Sequence, residues 1–68
     1  MPRVDKKVKL RLVGLNGNAF FLMGAFKKQA RREHWSQEEI STVIEECSRA
    51  DYHHLLATLL DHCEEPDD

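Results

Sequence analysis

Five side chains in the second half of this 68-residue chain are of types that bind metals or attack substrates: His53, His54 and His62, with Cys47 and Cys63. Zinc takes four ligands in a tetrahedral array, commonly from paired short spacings such as C-x2-C or H-x3-H. None of those spacings occurs here, so no metal is expected. A nucleophilic cysteine needs an electropositive, accessible setting that favours the thiolate. Both cysteines fall among carboxylates and on apolar stripes, where they read as small core residues. Glu38-Glu39 and Glu45-Glu46 are adjacent pairs whose side chains diverge around a helix, which suits a solvated face better than an acid/base couple. A chain this short also has little room for a substrate pocket of roughly 300–1,000 Å³. The expectation is a non-enzyme without catalytic residues or cofactors.

Two other groups can bind without catalysing. Gly14 and the loop Asn16, Gly17 and Asn18 lead into a helix, whose free N–H groups can hold an anion such as a nucleotide phosphate. The spacing is not G-x-G-x-x-G and no lysine follows, so a tight turn with a cap is the plainer reading. Lys7, Lys9 and Arg11 alternate along one strand face, and doubled in a dimer they would form a basic ribbon able to enter a major groove. That face is short and carries neither aromatics nor Asn or Gln to read bases, so nucleic acid is the less favoured partner.

Behind these residues lies a division of charge. Residues 1–32 carry nine basic side chains against Asp5 alone, a net of +8, while residues 33–68 carry eleven carboxylates against Arg49 alone, a net of −10. The formal total of −2 hides a dipolar chain. Such a chain meets a charged partner or another copy of itself. The candidate contact residues are Lys9, Arg11, Arg31 and Arg32 on the basic side and Glu38, Glu45 and Glu46 on the acidic side. The opening residues are polar and basic rather than a secretory leader, and no apolar run approaches the ~20 residues of a membrane span. A cytoplasmic protein with reduced thiols, and no membrane partner, is expected.

The elements that must position these groups follow from periodicity. Val8, Leu10 and Leu12 alternate with Lys7, Lys9 and Arg11, predicting a half-buried strand over 7–13. Leu15-Asn16-Gly17-Asn18 is a turn, and Asn18 caps a first helix over 19–33. On it Phe20, Met23, Phe26, Lys27 and Ala30 lie near one stripe, with Ala19 and Leu22 beside it, and Gly24 reads as a point of close packing. Ser36-Gln37-Glu38-Glu39 is a capping box opening a second helix, with Trp35 and Ile40 as a staple and Ile40, Val43, Ile44 and Cys47 buried. Asp51 caps a third helix over 52–63 with Leu55, Leu56, Leu59 and Leu60 inside. The fold class is α+β, a single domain over residues 1–68 in the order β-α-α-α, with frayed tails at 1–6 and 64–68. The one strand lacks a partner, since residues 14–68 offer no second strand. Antiparallel pairing of residues 7–13 with another copy, giving a homodimer, repairs it and stabilises a chain too small to be robust alone.

Taken together, Leu12-Val13-Gly14-Leu15-Asn16-Gly17-Asn18-Ala19-Phe20, then Gly24, Ala30-Arg31-Arg32 and Asp51-Tyr52 with Leu55-Leu56 resemble a group of small uncharacterised proteins of bacteriophages, prophages and bacterial genomes. Their pattern is close to L-V-G-x-D-G-N-A-F followed by S-G-D-Y-D-x-L-L, and the likeness covers residues 8–62. Here Asn16 stands for Asp, Arg49-Ala50 for Ser-Gly, and His53 for Asp. The resemblance implies a phage-type accessory protein that binds and inhibits or modulates a host protein, one of antiviral defence being a candidate. The rival readings are a nucleic-acid-binding dimeric ribbon and a sponge for a small anionic nucleotide.

Overall fold

The computed structural model describes residues 3–12, 14 and 17–64. The order is β1 (Val8–Lys9), α1 (Ala19–Arg32), α2 (Gln37–Cys47), α3 (Tyr52–Asp61) and β2 (Cys63–Glu64). This is the expected small α+β arrangement, an N-terminal strand followed by three helices, with one addition at its C-terminal end.

The helix starts form where local chemistry dictates. Asn18 Oδ1 accepts from the backbone N–H groups of Phe20 and Phe21 at 2.9 and 3.3 Å. Ser36 Oγ accepts from Glu39 N at 3.1 Å while the Glu39 carboxylate accepts from Ser36 N at 2.8 Å, closing the capping box. Asp51 accepts from His54 N at 3.0 Å. Each bond satisfies an N–H that the helix cannot satisfy internally. The end of α1 is equally defined. His34 takes φ 67°, with Trp35 N donating to Ala30 O at 2.9 Å and His34 N to Arg31 O at 3.1 Å. This is a Schellman turn with histidine at the left-handed position.

The core gathers Val8, Leu22, Phe26, Ala30, Trp35, Ile40, Val43, Cys47, Leu55, Leu59 and Cys63. Phe26 and Trp35 meet edge to face, with ring centroids 5.5 Å apart. Removing a side chain such as Phe26 from water contributes about 1.5–3 kcal/mol, and this burial is what holds three short helices together.

Three expectations need correction. The first concerns the strand. It does not stand alone, because β1 pairs in parallel with β2, Val8 opposite Cys63 and Lys9 opposite Glu64. Cys63 is therefore not the end of α3, and Glu64 is paired in β2. Val8 N donates to His62 O at 2.9 Å and Leu10 N to Glu64 O at 3.1 Å. On the other edge of β1, Lys9 N donates to the Glu33 carboxylate at 2.8 Å. The homodimer through residues 7–13 was expected because the strand lacked a partner, and that premise does not hold.

The second concerns residues 3–6, expected as part of a frayed tail, which make contacts with the helical body. Arg3 N and Val4 N both donate to His62 Nε2, at 3.0 and 3.1 Å. Lys6 Nζ reaches Glu39 at 2.8 Å and lies 5.8 Å from the centroid of the Trp35 ring.

The third concerns the faces of the helices. Leu60 is 57 % exposed and Phe20 81 % exposed, although both were expected inside. The core arc of α3 is set by Leu55, Thr58 and Leu59, with His62 just beyond the helix, and Leu60 lies nearly opposite. On α1 the buried residues are Leu22, Phe26 and Ala30, and at about 100° per residue Phe20 falls outside their arc. Leu10, Leu12, Ile44 and Leu56 pack at the margin of the core.

Candidate interaction surface

The outward face of α1 collects Phe20, Phe21, Gly24, Lys28, Arg31 and Arg32, all exposed. Successive helical residues turn by about 100°, which places these six within an arc of about 120°. The face is graded along its length. Its N-terminal half is apolar, with Phe20 81 % and Phe21 48 % exposed. Its C-terminal half is basic, and among the described residues Lys27, Lys28, Arg31 and Arg32 form no ion pair. Between the halves lies a notch of ≈ 410 Å³ lined by Phe20, Phe21, Gly24, Ala25 and Lys28. Gly24 was expected to admit a close neighbour, yet outside its own helical turn no described residue lies within 4 Å of where its Cβ would be. Gly24 therefore weakens the helix by about 1 kcal/mol relative to alanine without relieving any internal crowding.

The other basic candidates sit elsewhere. Lys9 and Arg11 are exposed near β1, apart from the α1 face in the chain and on a different element. The acidic candidates divide in two. Glu38 and Glu45 are exposed on α2. Glu46 is occupied inside the chain: His54 Nε2 lies 2.8 Å from its carboxylate, and Arg3 and Arg49 each approach it at 3.4 Å. The hydrogen bond from His54, aided by the two guanidiniums and opposed by desolvation, holds the Glu46 carboxyl below its usual range. A cleft of ≈ 640 Å³ beside it is lined by Arg3, Arg49 and His54 together with Glu46, Asp61 and the Thr58 region. Two guanidiniums and two carboxylates line it, so its formal charges balance.

The described part of the loop expected to hold an anion makes contacts within the fold. Asn16 lies outside the described residues. Gly17 accepts a hydrogen bond from the Tyr52 hydroxyl through its carbonyl, tying the turn to α3. Asn18 already fills the amide groups at the start of α1. Gly14 has φ +90°, a conformation that suits glycine.

The potential ligating groups do not converge. Among the described residues no three His, Cys, Asp or Glu side chains come together in a metal-holding group. His62 is buried, with Nδ1 2.8 Å from Thr58 O and Nε2 accepting from Arg3 and Val4, so both ring nitrogens are used within the fold. Burial, with the nearby Glu46 charge, pushes the Cys47 thiol up to about 11. Burial, with Cys47 and Glu33 nearby, pushes Cys63 up to about 12. At neutral pH both are protonated thiols packed in the core.

Sequence reasoning singled out Arg31 and Arg32, which the structure exposes on the α1 face, and set Phe20 in the core, where it does not lie. The available signal was angular: Phe20, Phe21 and Gly24 share an arc with Lys28, Arg31 and Arg32 rather than with Phe26. Among the described residues no helix is long and apolar enough to cross a membrane. No family model matches the chain, and comparison with curated proteins and with solved structures finds no match.

Proposed function

We propose that this chain is a non-enzymatic binding protein that acts in the cytoplasm by docking the outer face of α1 on a host protein and inhibiting or modulating it. The observation that carries this reading is the exposure of Phe20 and Phe21 on one helix face, beside Lys28, Arg31 and Arg32, which form no ion pair among the described residues. A phenyl ring in water forgoes about 1.5–3 kcal/mol that burial would return, and exposed apolar surface rimmed by charge is the usual mark of a protein contact. Aromatic and arginine side chains also dominate the energetics of such contacts. The pairing of an aromatic anchor with Arg31 and Arg32 fits that composition. The resemblance to small phage and prophage proteins supports a host target, a component of antiviral defence among the candidates.

The test is affinity capture from host lysate with the wild-type chain and with Phe20→Glu. Phe20 touches little of its own fold, so the variant melts within about 2 °C of wild type. Wild type retains a stoichiometric protein and the variant loses it. Equal recovery by both chains would remove the α1 face from the reading. A second reading, single-stranded nucleic acid, draws on the same face, since phenyl rings can stack bases while Lys28, Arg31 and Arg32 meet phosphates. It requires a mobility shift that weakens steeply with salt.

A further inference from the structure

Gly24 is another residue of the α1 face whose type the fold itself does not explain. Its backbone is helical, and outside its own turn an added Cβ would meet none of the described residues within 4 Å. Neither conformation nor internal space calls for glycine there. What the missing side chain creates is the floor of the notch between Phe20, Phe21 and the stem of Lys28. Arg31 lies seven residues further on, about 10 Å along the axis, and Arg32 beside it.

Resting on the protein-binding reading above, we infer that this notch receives an apolar side chain from an acidic amphipathic helix of the partner protein, whose carboxylates one to two turns away meet Lys28, Arg31 and Arg32. Helix-in-groove recognition works in this way, with an anchor side chain seated in a hydrophobic recess and charges fixing the register. The gradation of the face favours this occupant. Apolar and basic groups are segregated along the axis, whereas a helix lying on a membrane segregates them around it. A single-stranded polyanion is held by charge along its whole length, whereas the cations here occupy only the C-terminal half of the face.

The experiment is a selection from a displayed library of random helical peptides, run on the full chain, with the enriched peptides then measured on Gly24→Leu. Leucine is the better helix former and its Cβ enters open space, so this variant folds, which circular dichroism verifies. The expected peptides share one aliphatic or aromatic anchor with two or more carboxylates one to two turns away. They bind Gly24→Leu, and separately the double variant Arg31→Glu/Arg32→Glu, at least tenfold more weakly than wild type. A basic or uncharged consensus, or peptides indifferent to Gly24→Leu, overturns the inference. So does a single-stranded oligonucleotide whose binding depends on Gly24 while no peptide is enriched. If a lysate partner is lost by Phe20→Glu yet kept by Gly24→Leu, the notch is wrong and the protein-binding reading survives. If Phe20→Glu changes nothing, that reading itself falls.

Discussion

His34 holds φ 67°, a region that costs a residue with a Cβ roughly 1–2 kcal/mol relative to right-handed geometry. Its side chain is exposed, so the strain is offset by the turn it closes between α1 and Trp35 rather than by contacts of the imidazole. Replacing it by glycine relieves the strain and adds some freedom to the unfolded chain. The expected net gain for His34→Gly is about 0.5–1 kcal/mol, seen as a rise of several degrees in the thermal midpoint. A lower midpoint would show that the histidine ring contributes something the backbone geometry does not. The sequence carried no warning here, because the Schellman position was filled by a residue other than Gly or Asn.

At the scale of elements, the N-terminal segment behaves as a strap. Two backbone N–H groups on His62 Nε2, the short parallel pairing with β2 and the Lys6 contacts hold residues 3–10 against the C-terminal end of α3, β2 and the start of α2. His62→Leu keeps much of the buried volume but removes the acceptor, leaving Arg3 N and Val4 N without their partner. The expected cost is about 1–3 kcal/mol, with amide exchange at Val8 and Leu10 accelerated well beyond that of α2. Uniform acceleration across all helices would show that the strap does not open by itself. The helices were readable because their signals are local: Asn18, Ser36 with Glu39, and Asp51 each announce a start within four residues. β2 was not readable. Cys63 and Glu64 have no alternation of their own, and only pairing with a segment far away in the chain makes them a strand. Leu60 and Phe20 misled for a related reason, since a leucine- or phenylalanine-rich helix does not reveal which arc its neighbours will cover.

The whole molecule joins its basic and acidic halves through the same strap. Glu39 on Lys6, Glu46 on Arg3 and Glu33 on the Lys9 amide each bind residues near the N-terminus to the helical body. All three carboxyls lie below the ordinary value of 4.5. Glu39 is lowered first by the hydrogen bond from Lys6 and Glu46 by the one from His54, while Glu33 is lowered because bonds from Gln29 and the Lys9 amide together outweigh its desolvation. The folded state therefore binds protons less readily than the unfolded chain. Their stabilisation is fully present above pH 4.5 and is lost as pH falls through the lowered values. Acid titration below pH 4.5 is expected to lower the thermal midpoint, and Glu39→Gln with Glu46→Gln to flatten that dependence; an unchanged slope in the double variant would assign acid sensitivity elsewhere. The pairing of Val8 with Cys63 has a consequence in time as well as in energy. It closes a loop of 55 positions, and the entropy lost on closing a loop rises with its length. The hairpin of α2 and α3 can condense early from neighbouring segments, whereas the strap must wait for a body to dock upon. Folding is then ordered: a helical nucleus first, the β1–β2 latch last. In kinetic terms, substitutions at Val8 and His62 should speed unfolding and leave the folding rate nearly untouched.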